Sequence, residues 1–174
     1  DDYVREVLQA ADRGFDASDR AEYESAMTRI APFLDRCVAG IDWRKYAVVG
    51  FTTVFQQTLA SLCLARRVRT IAPHVKVIFG GAACEGEMGL ELITRFPEID
   101  YVFLGEADHA FPAVVEHILA GGHVRLPPGV VGRDETSDAL PPACCEIGGR
   151  DGAEQFLVGD LDALPFPDFD DYFT

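Results

Sequence analysis

The sequence predicts an α/β domain built on a parallel sheet with helices packed around it. Continuous apolar runs such as Ala47-Val48-Val49-Gly50-Phe51 fit strands buried on both faces of such a sheet. Each run leads through a short loop into apolar residues at helical spacing. That strand–loop–helix unit recurs three times between Trp43 and Leu119, which implies parallel neighbours joined by right-handed crossovers.

In chain order, residues 3–13 and 21–38 carry apolar side chains at helical spacing, with Ser18 as an expected N-cap and Pro32 as an expected start or kink of the second helix. The first strand runs up to Phe51 and opens into Thr52–Gln57. Residues 58–71 form a helix whose last turn is basic, with Arg66, Arg67 and Arg69 complementing the dipole, and Pro73 stops it. Lys76–Phe79 is the second strand. It breaks at Gly80-Gly81 and reaches a helix over 89–96. Residues 99–104 make the third strand, ending at Gly105, and a helix follows over 112–119. A weaker strand is expected around Gly129–Val131. The chain thus divides into an N-terminal helical segment (1–40), an α/β domain (41–133) and a loop-rich tail (134–174).

The chain has 174 residues, which suits about one domain. A chain of that length buries roughly 70% of its extended surface. The formal net charge of −14 argues against nucleic acid and anionic membrane surfaces, which demand Lys and Arg. No apolar run reaches the roughly 18 residues of a membrane span. The five cysteines, Cys37, Cys63, Cys84, Cys144 and Cys145, are odd in number and form no CxxC pair. The expectation is structural thiols in a reducing cytoplasm.

In an open α/β sheet, ligands bind at the carboxyl ends of the strands. Three loops are expected to meet there: Thr52–Gln57, Gly80–Gly89 and Gly105–Phe111. Glycines, small residues and helix N-termini suit a large polar ligand carrying amides or a phosphate. The loops match neither GxGxxG nor a Walker A loop, and no serine sits in a G-x-S-x-G elbow. Glu85 and Glu87 read as anions at a helix start, not as an acid–base pair.

Val48-Val49-Gly50-Phe51-Thr52 with Phe55-Gln56-Gln57, Phe79-Gly80-Gly81-Ala82 with Cys84-Glu85-Gly86-Glu87-Met88-Gly89, and Gly105-Glu106-Ala107-Asp108 with Phe111-Pro112 together resemble one family. It is the N-terminal cobalamin-binding domain of cobalamin-dependent radical S-adenosylmethionine enzymes, above all those that mature ribosomally made peptide natural products. The resemblance covers roughly 43–133, and Leu164-Pro165-x-Pro167-Asp168-x-Asp170 resembles the linker into the radical domain. It implies a flavodoxin-like (Rossmann-like) three-layer sheet. The corrin would lie over the strand ends and the nucleotide tail would run into a pocket beside the sheet.

Carried over, Thr52, Thr53, Val54, Phe55, Gln56 and Gln57 would face the corrin. Gly80, Gly81, Ala82, Ala83, Cys84 and Glu85 would pass the nucleotide tail. Gly105, Glu106, Ala107 and Phe111 would line the far wall. The D-x-H-x-x-G pattern is missing around His74, His109, His117 and His123, which implies base-off, His-off cobalamin. CxxxCxxC is missing too, so S-adenosylmethionine and the 4Fe–4S cluster would belong to a radical domain elsewhere in the same polypeptide. The implied activity is C-methylation of a peptide, with this part not catalytic alone. A second reading stays open, a non-catalytic flavodoxin-like module binding a flavin or nucleotide. A receiver domain is disfavoured, since Thr52, Gly80 and Gly105 stand at the strand ends where it would carry acidic residues.

Overall fold

A computed structural model describes residues 16–121, 126–133, 158–166 and 168–170. The chain forms two compact units, Asp1–Asp42 and Trp43–Thr174. In the first, α1 spans Ala17–Ala39. Its N-cap is Asp16, not Ser18: the Asp16 carboxylate accepts the amides of Ser18 (2.7 Å) and Asp19 (3.0 Å), and Asp19 returns a carboxylate to the Asp16 amide (2.9 Å). Pro32 lies inside the helix without ending it. The helix expected over 3–13 and the loop-rich tail expected around Cys144-Cys145 lie outside the described residues.

The second unit is the α/β domain. Its elements are β1 (Val48–Thr52), α2 (Thr58–Ile71), β2 (Lys76–Gly80), α3 (Glu87–Arg95), β3 (Tyr101–Phe103), α4 (Ala110–Ala120) and β4 (Val130–Gly132). The sheet order is β1-β2-β3-β4. β1 pairs parallel with β2 in the register Gly50↔Ile78 and Thr52↔Gly80, and β2 pairs parallel with β3. β4 departs from the all-parallel expectation and runs antiparallel to β3, with Phe103 opposite Val130. The cause is local. A turn at Pro127–Gly129 is closed by the Val130 amide on Pro127 O (3.2 Å), and Gly129 O takes the Leu104 amide (2.8 Å). The chain therefore enters β4 beside the carboxyl end of β3.

Strand side chains alternate between two faces. Phe51, Val77, Phe79 and Val102 pack with Leu62 and Ala65 of α2 and Ile93 of α3, while Val49 joins Val68, Ala72 and Val75. On the other face Ile78 and Phe103 pack with Val114 of α4, joined by Tyr101 and Val130. Helices thus cover both faces, giving the three-layer flavodoxin-like α/β arrangement. The second layer is incomplete: α4 covers β3 and part of β2, whereas Gly50 and Thr52 on the same face of β1 are exposed.

At the amino ends of the strands a polar cluster ties the layers together. Asp100, 11% exposed at its side chain, accepts the Val77 amide (2.8 Å) and pairs with Arg69 (3.0 Å) and Lys76 (3.6 Å). The Arg133 guanidinium donates to the carbonyls of Ile93, Phe96 (3.0 Å) and Ile99 (3.1 Å), placing a cation at the C-terminal end of α3. No helix among the described residues is long and apolar enough to cross a membrane.

Candidate binding groove at the strand ends

The second loop is shaped by its contact with the first. Thr53 is fully buried. Its amide (2.8 Å) and hydroxyl (3.1 Å) both donate to Gly80 O, and Thr53 O accepts the Ala83 amide (3.1 Å). Gly81 sits in this crossing at φ +90°, and a Cβ there would lie 2.6 Å from Thr53 O. Only glycine meets both conditions. The chain then makes one 3₁₀ turn over Ala82–Cys84 and starts α3 at Glu87. Gly89 packs α3 on that turn: a Cβ would fall 2.1 Å from Cys84 O and 2.6 Å from a Leu104 methyl group. Alanine is about 1 kcal/mol better than glycine as a helix former. A clash with a carbonyl oxygen outweighs that gain, so Gly89→Ala is expected to lose about 1–3 kcal/mol net, read as a lowered midpoint in thermal denaturation.

The Gly86 amide reaches Leu104 O (3.4 Å), tying the second loop to the third. Between these loops and α4 lies a groove of about 640 Å³. Its floor is the α4-side face of the sheet: Gly50, Ile78, Gly80 and Phe103. Ile78 and Phe103 are buried. The two glycines leave the floor open. Among the described residues, a Cβ on Gly50 would meet nothing within 4 Å, and one on Gly80 would touch only Phe103 Cβ, at 3.7 Å. Thr52, Ala82 and Glu85 form one rim, and Gly105, Glu106, Ala107 and Phe111 the other. Phe103 and Phe111 lie 6.1 Å apart between ring centroids.

Of the expected site residues, Thr52, Gly80, Gly81, Ala82, Glu85, Gly105, Glu106, Ala107 and Phe111 come together in this groove. Thr53, Ala83 and Cys84 are buried beneath it as support. Burial pushes the Cys84 thiol up, partly offset by the Thr53 hydroxyl at 3.6 Å. Val54, Phe55, Gln56 and Gln57 form an exposed turn outside the groove. The Gln57 side-chain carbonyl closes that turn on the Val54 amide (3.2 Å). Phe55 is 75% exposed, so it is not a core aromatic. Glu87 stands in the first turn of α3, as expected of a helix-start anion, whereas Glu85 lies before the helix and faces the groove.

Gly50, Phe51, Ile78, Phe103 and Leu104 also line the groove and escaped the sequence reading, which looked only at loops. A glycine in the middle of an apolar strand was the available signal, since such a residue marks a bulge or a close approach. Among the described residues Glu85 and Glu106 are the charged side chains at the groove, both exposed, and Glu106 also accepts the Val158 amide. The lining therefore combines an apolar floor with a rim that accepts hydrogen bonds.

The volume falls in the range of about 300–1,000 Å³ typical of small-ligand sites. A family model described as B12 binding domain matches residues 2–115, from the first unit into α4. No curated protein matches the chain.

Proposed function

Because the chain belongs to the B12 binding domain family, cobalamin is its cofactor, and we propose that the groove beside β1 and β2 receives the cofactor's nucleotide tail. The floor left bare by Gly50 and Gly80 carries this reading: side chains there would fill the space the tail enters, and among the described residues only Phe103 comes near it. The groove is too small for the whole cofactor, so the corrin would lie outside it, over the strand ends and the exposed Val54–Gln57 turn. Thr52, Glu85 and Glu106 would accept or donate hydrogen bonds at the rim. Thr53, Ala83 and Cys84 would hold the loops in place from below. The bound group supplies transfer chemistry at cobalt, and the chain supplies its position.

Among the described residues no histidine lines the groove. His74 lies in an exposed turn, His109 is exposed before α4, and His117 packs edge-on against Tyr101 with centroids 6.3 Å apart. The reading is base-off, His-off binding. Electron paramagnetic resonance of the bound cobalt(II) form is expected to show no splitting from an axial nitrogen; such splitting would contradict it.

The finer reading is a domain of a radical S-adenosylmethionine enzyme that C-methylates a ribosomally made peptide in the cytoplasm. S-adenosylmethionine and a 4Fe–4S cluster would be held by the radical domain of the same polypeptide. Support comes from the sequence resemblance, from the free thiols of Cys37, Cys63 and Cys84, and from exposed apolar side chains that a partner could cover, Leu59 at 74% and Phe166 at 97%. A CxxxCxxC motif following Thr174 in the polypeptide is the expected companion, and a different type of domain there would sink this assignment.

A further inference from the structure

We propose that this groove selects the lower base of the corrinoid it binds, taking an apolar benzimidazole and disfavouring a purine. The inference rests on the reading that the tail enters the groove. Its basis is the distribution of polarity with depth. The open floor is the bare backbone of Gly50 and Gly80, set beside Ile78 and Phe103, which the α4-side core covers almost completely, with Phe111 at the rim. These residues offer no polar side-chain atom. Strand N–H and C=O groups lie in the plane of the sheet and point along it, not up into the groove. The polar side chains Thr52, Glu85 and Glu106 are exposed and stand at the rim.

A base on this floor therefore meets, among the described residues, Cα atoms and peptide faces without a polar side chain. The methylated carbocycle of dimethylbenzimidazole matches it, because apolar surface leaves water on both sides. Adenine would bring an exocyclic amine and extra ring nitrogens to the same place. Each would lose its water without gaining a partner among the floor residues described, and a buried polar group left unpaired weakens binding by about 5- to 150-fold. The sugar, nearer the rim, meets the hydrogen-bonding groups in either case, so discrimination falls on the base.

The test uses the purified 174-residue protein. Dissociation constants are measured by visible titration for hydroxocobalamin, for the adenine-bearing pseudocobalamin, and for cobinamide, which has no nucleotide tail. Hydroxocobalamin is expected to bind at least about tenfold tighter than pseudocobalamin, and cobinamide more weakly than hydroxocobalamin. Gly50→Ser places a hydroxyl on the open floor and is expected to narrow the ratio between the two bases. Equal affinities for them overturn the inference while leaving cobalamin binding intact. Cobinamide binding as tightly as hydroxocobalamin overturns it by removing the tail from the groove. Failure of a folded protein to bind any of the three overturns the underlying reading as well.

Discussion

Gly50→Ile is expected to weaken cobalamin binding by on the order of 100-fold, equivalent to about 2.7 kcal/mol, and to leave the protein folded. The two halves of this expectation have separate causes. Gly50 stands in the middle of β1, opposite Ile78, and its missing side chain would project into the groove. No described residue lies within 4 Å of that projected Cβ, so the new side chain enters the space proposed for the tail. On the stability side, glycine is a poor strand residue and a β-branched one a good strand residue. The thermal midpoint should therefore hold or rise. Gly80→Ala is the milder companion, because its Cβ would make an ordinary 3.7 Å contact with Phe103.

The opposite pattern is expected at the other end of the sheet. Asp100→Ala should cost about 3–5 kcal/mol, lowering the thermal midpoint by roughly 2–4 °C for each kcal/mol. Asp100 is nearly buried and serves the Val77 amide, Arg69 and Lys76 at once. Removing it strands a backbone N–H inside the sheet and leaves Arg69 without its carboxylate. An unpaired charge of this kind costs more than the pair contributed when intact. Below its midpoint the variant should bind cobalamin normally, because the cluster lies at the amino ends of the strands and the groove at their carboxyl ends. A midpoint within 1–2 °C of the parent's would show that water replaces Asp100 at little cost.

Much of the fold was legible because it is written in periodicity. The helix over Thr58–Ile71 and the strand at Lys76–Gly80 sit where apolar spacing and the following Pro73 or glycine pair put them. The antiparallel β4 was not legible, because its direction depends on how the Pro127–Gly129 turn docks on Leu104. The site was half legible for a similar reason. Gly80-Gly81 and Gly105 marked the second and third loops, which do line the groove, but Gly81 owes its place to Thr53, a contact between residues far apart in sequence. The Val54–Gln57 turn points away because its closure by the Gln57 side chain is a matter of geometry, not of composition. Ile78 and Phe103 were hidden by serving two purposes, since a residue that fills a core reads the same whether or not its edge also floors a groove.

The most direct measurement is retention of hydroxocobalamin by the purified protein. The protein is incubated with excess cofactor, passed through a desalting column and examined by visible absorption, with circular dichroism confirming the α/β fold. The expected result is corrinoid absorbance eluting with the protein in near-equimolar amount, and its loss in Gly50→Ile. A folded, cooperatively melting protein that elutes colourless would contradict cobalamin binding by this groove.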